Sequence, residues 1–360
     1  MAEKLKFSNV NKIPAPTWSW LKMNRDSAEI QEPCLKEPEI AEIPRGYSVL
    51  GGEDISLGHF PALSAGIGDE LSDYLEKNVF RGVDRIIQID RTDENSKPLL
   101  LSFKYGGSED SAALASSQII YARKNSEGTV IFLYEGAEDA EADLVVRTKV
   151  YAEENARVHI IKVQLLGGKQ NQIDETSCSA LENAEIRLTQ IELGGKHINA
   201  GMRTELSSFR ARFRSELAFI AKNEQHFDIN HAVIHTGRET DTKMSVRGAV
   251  DGNAVKVYRG TIDFKHGCAG ATGDEQEETL LLSGAAVSKS IPVILCDEEN
   301  VSGSHGATLG RLGTDELFYM QSRGVSEEEA KKMMTRAKIL SVAGGIPDEA
   351  VRAKIESFIG

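Results

Sequence analysis

The chain has 360 residues and a formal net charge of −13 at pH 7, with 40% apolar and 27% charged residues. This composition is typical of a folded globular protein, and an acidic surface disfavours nucleic acid as a partner. The N-terminus has no continuous apolar stretch of the signal-peptide kind, and no run of about 18 apolar residues occurs, so we expect a cytoplasmic protein without membrane spans.

Proline is distributed unevenly and divides the chain. Five of the nine prolines lie between Pro14 and Pro44, whereas residues 99 to 291 contain none. Proline cannot donate a hydrogen bond to a β ladder, so a long segment without it suits strands that are paired on both sides. The N-terminal part and the middle of the chain are therefore expected to be built differently.

The N-terminal arm begins with an aromatic segment and continues into a helix. Trp18 and Trp20 are flanked by prolines, and we expect both to pack onto a domain because large aromatic side chains dominate burial. Between Gly68 and Val79 apolar residues recur at helical spacing, which predicts an amphipathic helix capping the N-terminal unit. Residues 1–96 are assigned to this arm and a small helical or mixed region.

The middle of the chain, residues 97–312, is dominated by two-residue alternation. Val158–Leu165 and Ala184–Leu193 alternate in the manner of strands. Short strands follow one another at intervals of roughly ten residues, with polar turns such as the Asp-Gly-Asn at 251–253 between them. A sandwich and a β-solenoid both fit this pattern, and the proline distribution favours the solenoid although no clean repeat is visible.

The apolar period becomes helical after Gly313, and residues 313–360 are predicted to form a C-terminal helical region. Thr314 is a candidate N-cap, and Ser326 with Glu329 forms a capping box. The apolar residues that follow this box are Ala330, Met333, Met334, Ala337 and Leu340. A last helix is expected with Asp348 as its cap. Its apolar face consists of Val351, Ile355 and Ile359.

Cysteine spacing and missing motifs narrow the possible functions. Cys34, Cys178, Cys268 and Cys296 are far apart and include no CxxC pair. This argues against a disulfide framework and against a preformed zinc finger. The sequence also has no Walker A loop, no dinucleotide fingerprint and no Gly-x-Ser-x-Gly elbow. We therefore expect that the chain is not an enzyme and does not itself hydrolyse ATP.

Histidines offer one alternative function, that of a zinc-binding protein. His226, His231 and His235 lie within ten residues and could supply three nitrogen ligands. They could equally be imidazoles on a strand face that bond to water or to neighbouring strands. A glycine-rich stretch, Lys265–Glu278, adds a histidine, a cysteine and several carboxylates that could bind a soft or borderline metal.

Carboxylates offer a second alternative, that of a β-helical carbohydrate-active enzyme. Such an enzyme would use acidic residues such as Asp228, Glu239 and Asp241 for acid–base chemistry. The expected cytoplasmic location counts against this alternative.

Three segments carry a longer and more specific pattern. They are Val301–Met334 (VSGSHGATLGRLGTDELFYMQSRGVSEEEAKKMM), Tyr258–Ser283 (YRGTIDFKHGCAGATGDEQEETLLLS) and Pro14–Asn24 (PAPTWSWLKMN). These segments resemble the signatures of the SufB/SufD family of SUF iron–sulfur cluster assembly scaffolds. The resemblance extends over nearly the whole chain.

The resemblance implies a mainly β fold, with a right-handed parallel β-helix (β-solenoid) core flanked by N-terminal and C-terminal helical regions. It also implies a non-enzymatic scaffold that pairs through its β-helix, as a homodimer or with a SufB-like paralogue. Each such scaffold would dock a SufC-like ABC ATPase through its C-terminal helices. The implied docking residues are Leu317, Phe318, Tyr319 and Arg323, which could alternatively fill the local core.

The implied cofactor is a transient iron–sulfur cluster at a subunit interface, with none bound tightly to the isolated chain. A histidine of the SHGAT motif is proposed to face the cluster in SufD-type members, which makes His305 the candidate metal ligand. Cys268 and Cys296 are further candidates, because thiolate is the preferred cluster ligand, although a cysteine is more often a buried apolar residue. The SufB ligand positions correspond to Glu277 and Gly306, so the chain is more similar to SufD or to a merged SufB/SufD-like group.

Overall fold

The computed structural model describes residues 4–17, 19–51, 63–81, 85–90, 96–106, 113–311 and 313–360. The strands are β1 Leu5–Val10, β2 Asp26–Ile30, β3 Cys34–Leu35, β4 Tyr47–Gly51, β5 Arg85–Ile89, β6 Leu99–Tyr105, β7 Ala113–Ala122, β8 Glu127–Gly136, β9 Asp143–Ala152, β10 Arg157–Leu165, β11 Asn171–Ala180, β12 Glu185–Glu192, β13 His197–Leu206, β14 Arg212–Ala221, β15 His226–His235, β16 Asp241–Val250, β17 Val255–Phe264, β18 Thr272–Leu281, β19 Val287–Cys296 and β20 Ser302–Gly310. The helices are α1 Asp69–Leu75, α2 Thr314–Ser322, α3 Glu327–Ala343 and α4 Glu349–Ile359.

Two parallel sheets form the core. The even-numbered strands β6 to β20 lie in one sheet, and the odd-numbered strands β5 to β19 lie in the other, which β4 extends in antiparallel sense. The chain alternates between the sheets and pairs each strand in register with the strand one turn earlier. This confirms the predicted mainly β architecture, a parallel β-solenoid of about seven turns with helices at its termini.

Proline placement follows from this pairing. Every strand from β7 to β18 has a neighbour on each side, so a proline there would interrupt a ladder. Pro292 lies in β19, which is the edge strand of its sheet within the described ranges. The absence of proline from the middle of the chain therefore has the cause that the sequence suggested.

A repeat that the sequence conceals occurs at the turns that lead from the odd to the even sheet. One residue in each of six successive turns has a positive φ and donates its backbone N–H to a carbonyl in the next turn. These residues are Asn125, Asn155, Asn183, Arg210, Glu239 and Gly270. A small buried residue such as Ala156 or Ala184 follows each of them. The backbone conformation repeats from turn to turn while the residue types differ, which explains why no repeat is visible in the sequence.

The N-terminal arm lies along the outer face of the odd sheet. β1 and β2 form an antiparallel pair, and α1 continues as one π-helical turn, Glu76–Phe80. Leu71 and Leu75 of α1 are buried against outward residues of the sheet, including Val145 and Ile173. The predicted amphipathic helix is confirmed, but it lies on the side of the solenoid.

The prediction that the arm's tryptophans pack onto the domain is wrong for Trp20. Trp20 lies in a single 3₁₀ turn, Ser19–Leu21, that has no buried residue, and it is 74% exposed. Trp18 lies outside the described residues, so that half of the prediction is not addressed.

The C-terminal helices cover the outer face of the even sheet. Ile339 of α3 and Ile355 of α4 are buried against outward residues such as Ile161 and Val163. The capping box of Ser326 and Glu329 is confirmed at the start of α3, and Asp348 caps α4 by accepting a hydrogen bond from the Val351 N–H.

Two details of the helical predictions differ from the structure. Gly313, not Thr314, is the N-cap of α2. In α3 the buried face runs through Ala330, Ile339 and Val342, while Met333 is 55% exposed. The apolar spacing predicted the helix correctly but placed Met333 on the wrong side.

Candidate functional site

The last turn of the solenoid, β19 and β20, is open on its outer edge. Within the described ranges, β20 pairs only with β18, and β19 pairs only with β17. His305 lies in the middle of β20, and its in-register neighbour is Glu275 of β18. Like Glu275, His305 is at a position whose side chain faces the solenoid interior. It is nevertheless exposed, because no further turn among the described residues covers it.

Buried charged residues lie directly beneath His305. Burial, together with the nearby Glu277 carboxylate, raises the pKa of Glu275 to about 8. Lys256 and Glu277 form a fully buried ion pair, in which burial lowers the pKa of Lys256. Glu277, which the resemblance matched to a SufB ligand position, is closed to solvent and already paired with Lys256.

The two candidate cysteines have different environments. Cys296, at the end of β19, is exposed and donates its thiol to the Glu298 carbonyl at 3.1 Å. Cys268, in the turn before β18, is buried in the main apolar core. Burial and the nearby Glu298 carboxylate raise the pKa of the Cys268 thiol, which disfavours the thiolate that a metal requires.

The register of the strands separates His305 from Cys296. Gly260 faces the Glu275 carboxylate across the solenoid interior, since a Cβ added to it would lie 2.2 Å from Glu275 Oε1. Gly260 pairs with Pro292 and Glu275 pairs with His305, so Pro292 is the β19 residue opposite His305. Cys296 lies four residues farther along β19, or about 13 Å at 3.3 Å per residue. These two side chains of one chain do not converge on one point.

A row of polar side chains runs through the solenoid interior and ends beneath the open turn, a feature that our sequence reasoning missed. Lys162 contacts Asp174 and donates to Thr176 Oγ1 at 2.7 Å. Farther along, His231 Nε2 is 2.8 Å from Gln190 Oε1, and the His231 ring packs edge-on against Tyr258. The alternation in β10 could have revealed these interior polar residues. Lys162 and Gln164 follow Val158 and Ile160 at every second position and therefore face the same interior side.

The three histidines considered as a zinc site do not come together. His231 and His235 are buried and lie on the face of β15 opposite to His226. Burial lowers the pKa of both His231 and His235 to about 4, so both are neutral imidazoles at pH 7. The prediction of a zinc site formed by these three histidines is therefore wrong. Side chains separated by an odd number of residues along a strand point to opposite faces, so His226 cannot join the other two.

The carboxylates considered for acid–base catalysis are also dispersed. Asp228 lies in the odd sheet and is 2.5 Å from Arg259 Nη1. Asp241 begins a strand of the even sheet and pairs with Arg214, while Glu239 lies in a turn and pairs with Arg210. Each carboxylate is neutralised by its own arginine, so the carbohydrate-active alternative has no assembled site.

Helix α2 presents aromatic residues to solvent. Phe318 is 73% and Tyr319 is 60% exposed, and the guanidinium of Arg323 lies 5.4 Å from the centre of the Tyr319 ring. Leu317 is half-buried. The aromatic pair does not fill the local core, which leaves it available to a partner. Among the described helices, none has the length and apolar character needed to cross a membrane.

Comparisons of the sequence with known proteins all lead to one family. Residues 105–338 match the family model described as SUF system FeS cluster assembly, SufBD core domain. The iron-sulfur cluster assembly protein SufD of Escherichia coli strain K12 is 24% identical over 319 residues, which cover 88% of this chain and 74% of that protein.

Two further relatives are matched over less of their own length. SufD of Bacillus subtilis strain 168 is 27% identical over 140 residues, which cover 39% of this chain but only 32% of that protein. The SufBD family protein ycf24 of Trieres chinensis is 23% identical over 282 residues, covering 73% of this chain and 57% of the relative. Because the SufBD core match alone spans more than half of the sequence, this chain belongs to the SufBD family of the SUF iron–sulfur cluster assembly system.

Proposed function

We propose that this chain is a non-enzymatic scaffold or partner subunit that works in the cytoplasm. It pairs through the open turn of its β-solenoid with a second SufBD-family subunit, which is either another copy or a SufB-like paralogue. It docks a SufC-like ABC ATPase through its C-terminal helices, and a transient iron–sulfur cluster forms at the pairing interface. The single observation that carries this proposal is the open turn that exposes His305 in a SufBD-family fold.

Pairing through this turn is supported by the chemistry of an exposed strand edge. Among the described strands only β18 pairs with β20, so the other side of β20 is an exposed edge, and an edge of this kind is a template for pairing with another chain. Seven of the nine residues of β20 are glycine, alanine, serine or threonine, so a second subunit can approach the backbone closely.

Cluster binding at the interface is supported by the incompleteness of the ligand set in one chain. An iron–sulfur cluster needs several ligands, mostly thiolates. His305 is accessible on the open turn, Cys296 is accessible about 13 Å away along β19, and Cys268 is buried. The remaining ligands around His305 therefore come from the second subunit, with Cys296 as a peripheral candidate and Cys268 as the weakest one.

ATPase docking is supported by the exposed aromatic surface of α2. Aromatic residues and arginine are enriched at the centres of protein interfaces, and Phe318, Tyr319 and Arg323 supply both types within two turns of helix. ATP chemistry then resides in the partner, in keeping with the missing Walker A loop.

The first experiment is anaerobic co-purification of the chain with the ATPase and any SufB-like paralogue of the same host. Iron and sulfide are counted per complex for the wild type and for His305→Ala, and His159→Ala, on β10 and away from the open turn, serves as the control. We expect His305→Ala to lose at least half of the iron and sulfide while His159→Ala retains them. Unchanged loading in His305→Ala would remove it as a ligand, and failure to form any complex would remove the scaffold role.

A second experiment tests the docking surface. Phe318→Asp should weaken ATPase binding at least tenfold, because it replaces an apolar anchor with a charge. Trp20→Asp is the matched control, since Trp20 is equally exposed but lies in the N-terminal arm. Calorimetry measures the affinity for the ATPase. If both substitutions weaken binding equally, or if neither does, docking through α2 is contradicted.

A further inference from the structure

Three potential metal ligands meet on the outer face of the odd sheet, away from the open turn. Asp26 of β2 approaches His197 of β13 and His226 of β15. The Asp26 Oδ2 atom lies 2.9 Å from His197 Nε2 and 3.3 Å from His226 Nε2. The two imidazole rings have their centres 4.5 Å apart. One carboxylate oxygen and two imidazole nitrogens thus converge from three separate strands.

The fold explains why these residues meet. His197 and His226 are in-register partners on neighbouring parallel strands, so both side chains leave the same face at the same height. The N-terminal arm crosses this face, and its position is fixed by two contacts of residues that precede β2 in the chain. Asn11 Nδ2 donates to Asp228 Oδ1 at 2.8 Å, and Arg259 Nε donates to the Met23 carbonyl at 2.7 Å. Asp26 is therefore held over the histidine pair by contacts that do not involve it.

The spacing of the ligand atoms suits a small divalent ion. Zinc–nitrogen and zinc–oxygen bonds of about 2.0–2.1 Å in tetrahedral geometry place neighbouring ligand atoms about 3.3 Å apart. The contact of His226 Nε2 with Asp26 already has this length, and that of His197 needs a shift of a few tenths of an ångström. His226 Nε2 is covered, and its contact with Asp26 is not a well-aligned hydrogen bond, so this nitrogen can turn its lone pair to an ion.

A supporting residue and access from solvent complete the arrangement. Asn199 Nδ2 donates to Asp26 Oδ2 at 2.8 Å, and outer hydrogen bonds of this kind orient the carboxylates that bind metals. The side chains of His197 and His226 are about one-third exposed, so the site lies close to the protein surface, within reach of solvent.

We propose that Asp26, His197 and His226 bind one divalent ion of the kind that prefers imidazole and carboxylate ligands, Zn²⁺ or Fe²⁺. Two histidines with one carboxylate and an open position form a donor set found for both ions. The ion joins β2 to β13 and β15 and so anchors the N-terminal arm to the solenoid. This site shares only His226 with the rejected three-histidine site, and it does not depend on His305.

Metal titration of the chelator-treated full chain tests the site. We expect the wild type to bind one equivalent of Zn²⁺, and one equivalent of Co²⁺ with the visible absorption of a four- or five-coordinate ion. His226→Gln and Asp26→Asn should each weaken binding at least 100-fold, and Asn199→Ala about tenfold because it only orients the carboxylate. His159→Gln should have no effect, since that side chain lies on the even sheet and contacts Thr189.

The same titration in a Cys296→Ser/His305→Gln chain separates this site from the cluster site of the proposed function. Retained binding in that chain supports the new site, whereas loss of binding there, or unchanged affinity in both His226→Gln and Asp26→Asn, would overturn it. Circular dichroism verifies that each variant is folded, and Asp26→Asn, on the surface hairpin, decides the matter if His226→Gln does not fold. Anaerobic competition between Fe²⁺ and Zn²⁺ identifies the preferred ion, and binding of neither would end the proposal.

Hydrogen exchange gives a second readout that does not depend on affinity. Zn²⁺ should slow the exchange of β1 and β2 amides at least fivefold in the wild type and leave it unchanged in Asp26→Asn. Equal protection in both chains would contradict the anchoring role.

Discussion

Lys162 shows how single residues inside the solenoid depart from an apolar core. Its ammonium group is 1% exposed, yet it pairs with Asp174 and donates to Thr176. Burial raises the pKa of Asp174, against the opposing effect of the lysine charge. The pair is stable because each charge satisfies the other, so removing one partner leaves a buried charge uncompensated.

We expect Lys162→Met to lower the free energy of unfolding by about 3–5 kcal/mol at pH 7. The double variant Lys162→Met/Asp174→Leu should recover most of this loss, because no lone charge then remains in the core. Urea denaturation measures both. Lys124→Met, which removes one partner of the exposed pair with Glu154, is the control and should change stability little. A double variant no more stable than the single one would argue against this account.

The burial of His231 makes the stability of the folded chain depend on pH in a defined direction. The pKa of His231 is about 4 in the folded chain because of burial, whereas an unfolded histidine titrates near its ordinary 6.5. Between these values the unfolded state binds a proton that the folded state rejects, so stability falls as the pH decreases from 6.5 to 4.

From pH 7.5 to pH 5 the contribution of His231 to this loss is about 2 kcal/mol. His231→Gln should remove that part of the pH dependence, and His266→Gln, in an exposed turn, should not. Thermal or urea unfolding at the two pH values checks the prediction. An unchanged pH slope in His231→Gln would mean that His231 is protonated within the fold.

At the scale of elements, the turns show how backbone conformation sets the repeat. Asn155 has a φ of 58° and Glu239 a φ of 56°, in equivalent turns of the solenoid. Asparagine tolerates this left-handed conformation, whereas other residues with a Cβ adopt it at a cost of about 1–2 kcal/mol.

Asn155→Ala should therefore destabilise the chain by about 1 kcal/mol, while Glu239→Gly should leave stability equal or higher. Glu154→Ala, in the neighbouring position of the same turn, is the control and should be nearly neutral. Unfolding midpoints in urea decide between these outcomes. Equal effects of Asn155→Ala and Glu154→Ala would show that asparagine does not stabilise the chain through its tolerance of the left-handed conformation.

The C-terminal helices are held by one face, as Ile339 and Met333 of α3 illustrate. Ile339 is fully buried against the even sheet and Met333 is mostly exposed. Ile339→Ala should reduce the free energy of unfolding by about 2–4 kcal/mol, and Met333→Ala should change it by less than about 0.5 kcal/mol. Denaturation followed by far-ultraviolet circular dichroism measures both, and similar effects of the two substitutions would contradict this packing.

At the scale of the whole molecule, stability is expected to vary along the solenoid. Each turn contacts mainly its neighbours, so an end turn lacks half of the contacts of a central one. Amides of β19 and β20 should exchange with deuterium at least tenfold faster than those of β11 to β15. Hydrogen exchange with mass spectrometry measures this, and uniform protection would indicate one cooperative unit. Slower exchange of β20 in the presence of a second subunit would fit pairing through that edge.

The sequence by itself determined the strands and the terminal helices, because period-two alternation and capping residues act locally, and the missing proline and the family resemblance favoured the solenoid over a sandwich. The family resemblance made His305 and the α2 aromatics candidates, and their roles stay predictions. Only the tertiary structure decided which residues meet. Parity on β15 directs His231 inward and His226 outward, and register places Pro292, not Cys296, opposite His305. Asp26 joins His197 and His226 from residues 171 and 200 positions away, a distance that the folded chain closes and local pattern cannot reveal.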